Sequence, residues 1–385
     1  MKTPLKRIIL FITLLVLTAG PAQATWQQVG AAGFSEGEAR YTSLALDSSG
    51  TPYIAYRDAA NNYKASVMKL DGNNWVQVGA AGFSAGWADY ISFALDSSGT
   101  PYIAYRDAAN GWKASMMKFD GTSWQQVGAA GFSADKADYI SLALDSSGMP
   151  YIAYQDGANS CKASVMKFDG TAWMQVGAAG FSAGWSYYTS FSLDSSGTPY
   201  IAYRDYVNSN KASVMKFDGT SWQQVGAAGF SEGEASFTSL ALDSSSTLYI
   251  AYQDAGNSSK ASVMKFDGTS WQQVGAAGFS AGETSFTSLT LDSSDTPYIA
   301  YRDNDNSSKA SVMRFNGTSW QQVGAAGFSA GEAYKTIFAL DSSDRPYIAY
   351  QDDANGGKAS VMKFTADPPS GTALTLTPIY QLLLL

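Results

Sequence analysis

The chain contains no histidine and a single cysteine, Cys161. Without imidazole there is no histidine-based catalytic triad and no imidazole metal site. One cysteine cannot close an internal disulfide, so the fold must be held by a core large enough to need none. Charged residues make up only 15% of the chain, and the formal net charge is −8. Beyond residue 7 no Lys/Arg cluster occurs. Such a chain is repelled by a phosphate backbone, which excludes nucleic acid as an expected partner. The apolar run from Ile8 to Leu17, broken only by Thr13, is shorter than the roughly 20 residues a membrane span needs.

That run follows Lys2, Lys6 and Arg7 and precedes Ala22-Gln23-Ala24. The pattern predicts a secretory signal peptide over 1–24, cleaved after Ala24. The mature chain is then secreted, periplasmic or at the cell surface, without a membrane span of its own. At 14% aromatic residues it reads as globular.

What the chain does have is repetition. Trp-Gln-Gln-Val-Gly-Ala-Ala-Gly-Phe-Ser begins at Trp26 and returns, nearly unchanged, at Trp75, Trp124, Trp173, Trp222, Trp271 and Trp320, every 49 residues. A fixed period of this length marks a repeat architecture. Within one unit, Thr42–Asp47 is β-prone and ends in the turn cluster Ser48-Ser49-Gly50-Thr51. Pro52–Arg57 is a second strand, with Pro where a missing N–H is tolerated. Ala59–Tyr63 is a polar loop, Lys64–Leu70 a third strand, Asp71-Gly72 a hairpin turn and Trp75–Val78 a fourth strand. Residues 79–90 form the longest connection.

Four short antiparallel strands and one long connection describe a propeller blade. The second strand is apolar on both faces, as Tyr53, Ile54, Ala55 and Tyr56 show, which suits a sheet packed between two neighbours. The long connection is the crossover to the next inner strand, so inner strands begin near Thr42, Ile91, Ile140, Thr189, Thr238, Thr287 and Thr336. The last third strand, Lys358–Phe364, has no Trp strand after it, and the first Trp strand, Trp26–Val29, has no blade before it. Joining the two ends predicts an all-β, seven-bladed β-propeller over 25–365, closed by the N-terminal strand. Residues 366–385 read as a linker, Asp367-Pro-Pro-Ser-Gly371, and a short apolar tail.

The segment Leu44–Tyr56 resembles the NHL-type and related secreted bacterial β-propeller repeats: an apolar strand, Asp-x-x-Gly, then a Tyr-rich strand. The Phe-Asp-Gly-Thr-Ser-Trp turn at Phe119–Trp124 is similar to the Asp-box of sialidase-type propellers, one residue shorter between Asp and Trp. Both resemblances imply a propeller and mark a hairpin rather than a chemistry.

The hairpin turns repeat almost without change, whereas the crossovers and second loops, on the opposite face, differ from unit to unit. Loops on a rigid scaffold are where ligand sites sit. Trp87, Trp112 and Trp185 interrupt Gly/Ala-rich loops, and an exposed ring suits stacking on a sugar. With Tyr187, and with Asp135, Lys136 and Asp138 on the intervening crossover, they form the candidate ligand site. Arg57, Arg106, Arg204 and Arg302 share one position with Gln155, Gln253 and Gln351, each followed by Asp. They could grip an anionic glycan, or tie adjacent blades together. Glu36 with Glu38 and Glu232 with Glu234 are carboxylate pairs of the kind glycosidases use. Near-identical blades argue against one asymmetric catalytic centre. Asp-Ser-Ser-Gly has too few carboxylates for a calcium loop. No catalytic residue, metal or cofactor is predicted. The reading is a non-enzymatic, lectin-like or adhesive module whose partners are glycans or a surface protein. Its alternatives are a structural surface or matrix protein and a glycosidase- or sialidase-like enzyme.

Overall fold

The protein is described here by a computed structural model covering residues 24–365. The predicted signal peptide and the tail at 366–385 lie outside the described residues. The first blade consists of an inner strand, Ala39–Leu46, a second, Pro52–Asp58, a third, Lys64–Asp71, and an outer strand, Asn74–Gln77. They pair antiparallel in chain order, and the same arrangement recurs in seven four-stranded sheets. The protein is an all-β, seven-bladed propeller.

Local chemistry sets each turn. In the first hairpin the Asp47 carboxylate accepts the N–H groups of Ser49 and Thr51, both at 2.9 Å, and the Ser49 hydroxyl at 2.6 Å. The second loop is tighter than the polar run at 59–63 suggests. Asp58 caps a single 3-10 turn, Ala59–Asn61, by accepting the Ala60 N–H at 3.0 Å. Its other oxygen accepts the Asn61 amide and the Ser66 hydroxyl. Ser66 in turn accepts the Gly82 N–H, and Ser84 accepts the Ala65 N–H, so the long crossover is pinned along the third strand.

Side chains alternate along each strand and meet a neighbouring blade on both faces. Tyr53 and Ala55 join Val67, Phe93, Ile103 and Tyr105 in the seam toward the second blade. Ile54 and Tyr56 join Tyr347, Ala349 and Val361 in the seam toward the seventh. The core is thus seven clusters between blades.

A tryptophan clamp spans each seam. The Trp124 indole donates to the Val78 carbonyl of the preceding blade at 2.8 Å and stacks on Phe83, centroids 4.2 Å apart. Gly79 lies flat against this ring with φ +70°, and a Cβ there would come within 3.0 Å of Trp124 Cδ1. Every seam repeats the pair of contacts.

Closure uses the same device. Thr25–Gln28 pairs antiparallel with Lys358–Thr365, placing Trp26 opposite Phe364. The Trp26 indole donates to Val323 O at 2.8 Å and stacks on Phe328 at 4.1 Å. Trp26→Ala is expected to cost about 3–5 kcal/mol, and a chain lacking residues 25–30 should melt well below the intact ring. Equal thermal midpoints for the intact and truncated proteins would contradict N-terminal closure.

Candidate functional site

Each inner strand carries a β-bulge close to the crossover face, as the register shift between Arg40 and Ser43 shows. The bulge puts one residue per blade in the left-handed region, with φ from 48° to 54°: Tyr41, Tyr90, Tyr139, Tyr188, Phe237, Phe286 and Lys335. These seven side chains meet around the central axis. Consecutive aromatic rings from Tyr41 to Phe286 lie 4.8–5.3 Å apart, tilted against one another. Lys335 occupies the remaining gap, its ammonium 4.9 Å from the Phe286 ring and 5.2 Å from Tyr41. Beneath the ring, Thr42, Thr189, Thr238, Thr287 and Thr336 donate to carbonyls of the preceding blade. The ring and this layer line a depression of about 210 Å³ on the axis. The ring was not foreseen from the sequence, which ended the connection at Tyr90 and began the first inner strand near Thr42. The signal available was the recurrence of an aromatic every 49 residues just before the inner strand.

Around the ring the crossover face divides in two. The loops of blades one, two and four carry the aromatics, with Lys136 and Cys161 at the equivalent positions of blade three. Trp87 is 48% exposed and stands edge-on to Tyr63, at 5.2 Å, and to Trp112, at 6.4 Å. Trp185, 44% exposed, stacks on Tyr206 at 5.1 Å and meets Tyr187 edge-on at 6.1 Å. Tyr187 touches Tyr139 of the central ring at 6.0 Å. Trp112 lies under the Arg106 guanidinium at 4.7 Å, which also covers Tyr90. The structure therefore brings Trp87 and Trp112 together and places Trp185 with Tyr187 in a second group; the central ring joins the two. Blades five to seven and the entry to blade one instead present Glu234, Glu283, Glu332 and Glu38 at the position of Trp87 and Trp185.

The arginines bridge blades, but not through the Asp that follows each in sequence, because that residue is buried as the cap of the 3-10 turn. Arg57 reaches Asp89 of the next blade. Arg106 clasps Asp89 at 2.7 Å and Asp138 of the blade beyond. Arg204 and Arg302 pair with Glu234 and Glu332. Asp138 is thus engaged within the protein, while Asp135 and Lys136 are exposed on the rim. Among the described residues no cluster of three or more Cys, Asp or Glu could hold a metal ion.

The nearly constant hairpin face carries clefts between blades. The seam of blades three and four opens a cavity of about 730 Å³, lined by Tyr151, Lys167, Met174, Thr198 and Lys216. Equivalent clefts lie beside Thr100, Thr247 and Thr296. At the same position Met149 and Arg345 place bulkier side chains in two other seams.

No protein-family model and no curated protein matches the chain. The NHL-type and Asp-box resemblances therefore rest on their hairpin motifs alone. Solved structures do match, as propellers. An ulvan lyase of a polysaccharide lyase family, bound to -[GlcA(1-4)Rha3S]-, is 12% identical with a TM-score of 0.58, covering 89% of this chain and 96% of that one. A mutant of the Aleuria aurantia lectin in complex with Fucalpha1-6GlcNAc is 15% identical with a TM-score of 0.51, covering 78% of this chain and 100% of that one. The extracellular domain of a putative one component system from B. thetaiotaomicron is 12% identical with a TM-score of 0.56, covering 88% and 39%. At these identities the likeness is one of fold.

Arg106→Met strips Asp138 of its partner and half of Asp89's, so its cost should approach the ~3 kcal/mol seen when a buried pair is broken. Arg204→Met frees a Glu234 side chain that is 52% exposed and should cost less than ~1 kcal/mol. Urea denaturation of the two variants checks the order. Cys161 is a free thiol whose pKa burial raises, with Asp138 adding to the shift. A raised pKa means less thiolate at neutral pH, so alkylation should be slower than for an unburied cysteine and accelerate as pH rises. Cys161→Ser should leave the melting point unchanged, and a loss of several degrees would show the thiol to be structural.

Proposed function

We propose that this chain is a secreted, non-enzymatic carbohydrate-binding module that engages its ligand on the aromatic half of the crossover face. The observation that carries the reading is the exposure of Trp87 and Trp185 on one sector, each braced by further rings. A large indole held half in solvent by other aromatics is poor core and a good platform for the C–H face of a sugar. Arg106, and the exposed Asp135 and Lys136 on the intervening crossover, are the candidates for the few polar groups that orient a ligand. The likeness in fold to a lectin in complex with a fucosylated disaccharide agrees with this reading.

An enzymatic reading, to which the likeness in fold to a polysaccharide lyase would point, has less support. Polysaccharide cleavage needs a group able to accept a proton near neutral pH. Three tyrosines of the central ring, Tyr41, Tyr90 and Tyr139, are shifted the wrong way. Burial raises Tyr41 and Tyr90, and Tyr139 is pushed up to about 12.

Trp87→Ala and Trp185→Ala should each weaken binding of the best ligand from a glycan array by about thirtyfold, the equivalent of ~2 kcal/mol. Their melting points should match the wild type. Trp112→Ala should lose stability as well, because Arg106 rests on that ring. Unchanged glycan affinity in both Trp87→Ala and Trp185→Ala would move the site off this face, and an array with no binder would remove the carbohydrate reading.

A further inference from the structure

Of the seven residues around the axis, six are aromatic and one is cationic. Lys335 is the only one whose side chain carries a charge, and it stands where the four preceding Tyr and two Phe positions place a ring. Its ammonium makes no ion pair among the described residues. The carboxylates of Glu332 and Glu38, which enter the inner strands on either side of the Lys335 gap, are engaged elsewhere. Glu332, on the same blade, accepts from Arg302 and from the Tyr334 hydroxyl. Glu38, on the adjoining blade, accepts from Arg40 and Gln351. The flanking faces of Phe286 and Tyr41 attract the cation but offer no acceptor for its N–H groups.

An ammonium drawn partly out of water without an acceptor is costly, and such a group in a cleft marks a candidate functional site. Burial accordingly lowers the Lys335 pKa, with no carboxylate raising it again. The place where the charge sits is concave: Lys335 lines the 210 Å³ depression on the axis, opposite the tyrosines. Cation, aromatic walls and phenol hydroxyls are there together, in a space closed below by the threonine layer.

We propose that the depression on the axis is a single binding site for one carboxylate-bearing sugar residue, its carboxylate on the Lys335 ammonium and its ring against the surrounding aromatics. This rests on the carbohydrate reading and narrows it to acidic glycans. The central ring is continuous with both tryptophan groups through Tyr90 and Tyr139, so a longer chain anchored at the axis has an aromatic path outward along Tyr187 to Trp185. The site occurs once per molecule, because only the seventh blade carries the lysine.

The experiment is a calorimetric titration of glucuronate and of glucose into the full-length protein, the Lys335→Tyr variant and the Trp185→Ala variant. Lys335→Tyr installs the residue that four other blades carry, so it should fold and melt as the wild type does. Glucuronate should bind the wild type with one site per chain and at least tenfold more tightly than glucose. Lys335→Tyr should lose that preference, and Trp185→Ala should keep it. As a second readout, glucuronate and not glucose should shield Lys335 from acetylation, followed by peptide mass spectrometry on the wild type. Equal affinity of Lys335→Tyr for glucuronate, more than one site, or no binding and no shielding overturns the axial site. Loss of glycan-array binding in Trp87→Ala and Trp185→Ala, with the axial site absent, would leave the broader carbohydrate reading standing.

Discussion

The structure depends on one contact made seven times: an indole N–H given to a carbonyl of the blade before, with the ring laid on that blade's phenylalanine. An outer strand of three or four residues is too short to hold itself in place by ladder hydrogen bonds alone. The clamp anchors it instead to a different sheet. It also ties the last segment of each blade to the first part of the crossover that leaves its neighbour, because Val78 and Phe83 both belong to that connection. Neighbouring blades are therefore not independent units that happen to touch. Each completes the burial of the next, and the first four described strand residues complete the last.

Most of this was legible in the sequence because it is periodic. The fixed interval located the outer strands, the unpaired Trp strand at one end and the unpaired third strand at the other required closure, and apolar residues on both faces of Pro52–Asp58 required packing on both sides. What escaped was whatever depends on a departure from regular strand geometry or on a neighbour 30 residues away. The bulge at Tyr41 takes a positive φ that no local signal announces, since tyrosine rarely adopts it. Arg57 and Asp58 are adjacent in sequence, yet the strand alternation sends them to opposite partners, Asp89 and the 3-10 turn. Trp112 looked like Trp87 on paper; only the fold reveals that one is covered by a guanidinium and the other is not.

The candidate site is where the repetition fails. Seven equivalent loops would give a symmetric face, whereas the crossovers confine the exposed tryptophans to one side and put glutamates at the same position on the other. Hydrogen bonds and cation–π contacts then couple the two halves through the axis. The threonine layer shows the same loss of symmetry: Ile91 and Ile140 replace it in the second and third blades, on the aromatic side. Constancy at the hairpin face follows from its turns, where an Asp such as Asp47 or Asp120 accepts two backbone N–H groups and tolerates little change.

Closure by the first strand has a consequence for how such a ring can change in size. The repeat written in the sequence, from one tryptophan to the next, is out of phase with the sheet seen in space, which ends on a tryptophan strand. A duplicated or deleted stretch of one period, starting anywhere, therefore inserts or removes a whole blade and leaves every clamp with a partner. Blade number is set by the angle at which neighbours can pack, and the lineage of the protein is free to explore it by recombination without passing through a broken sheet.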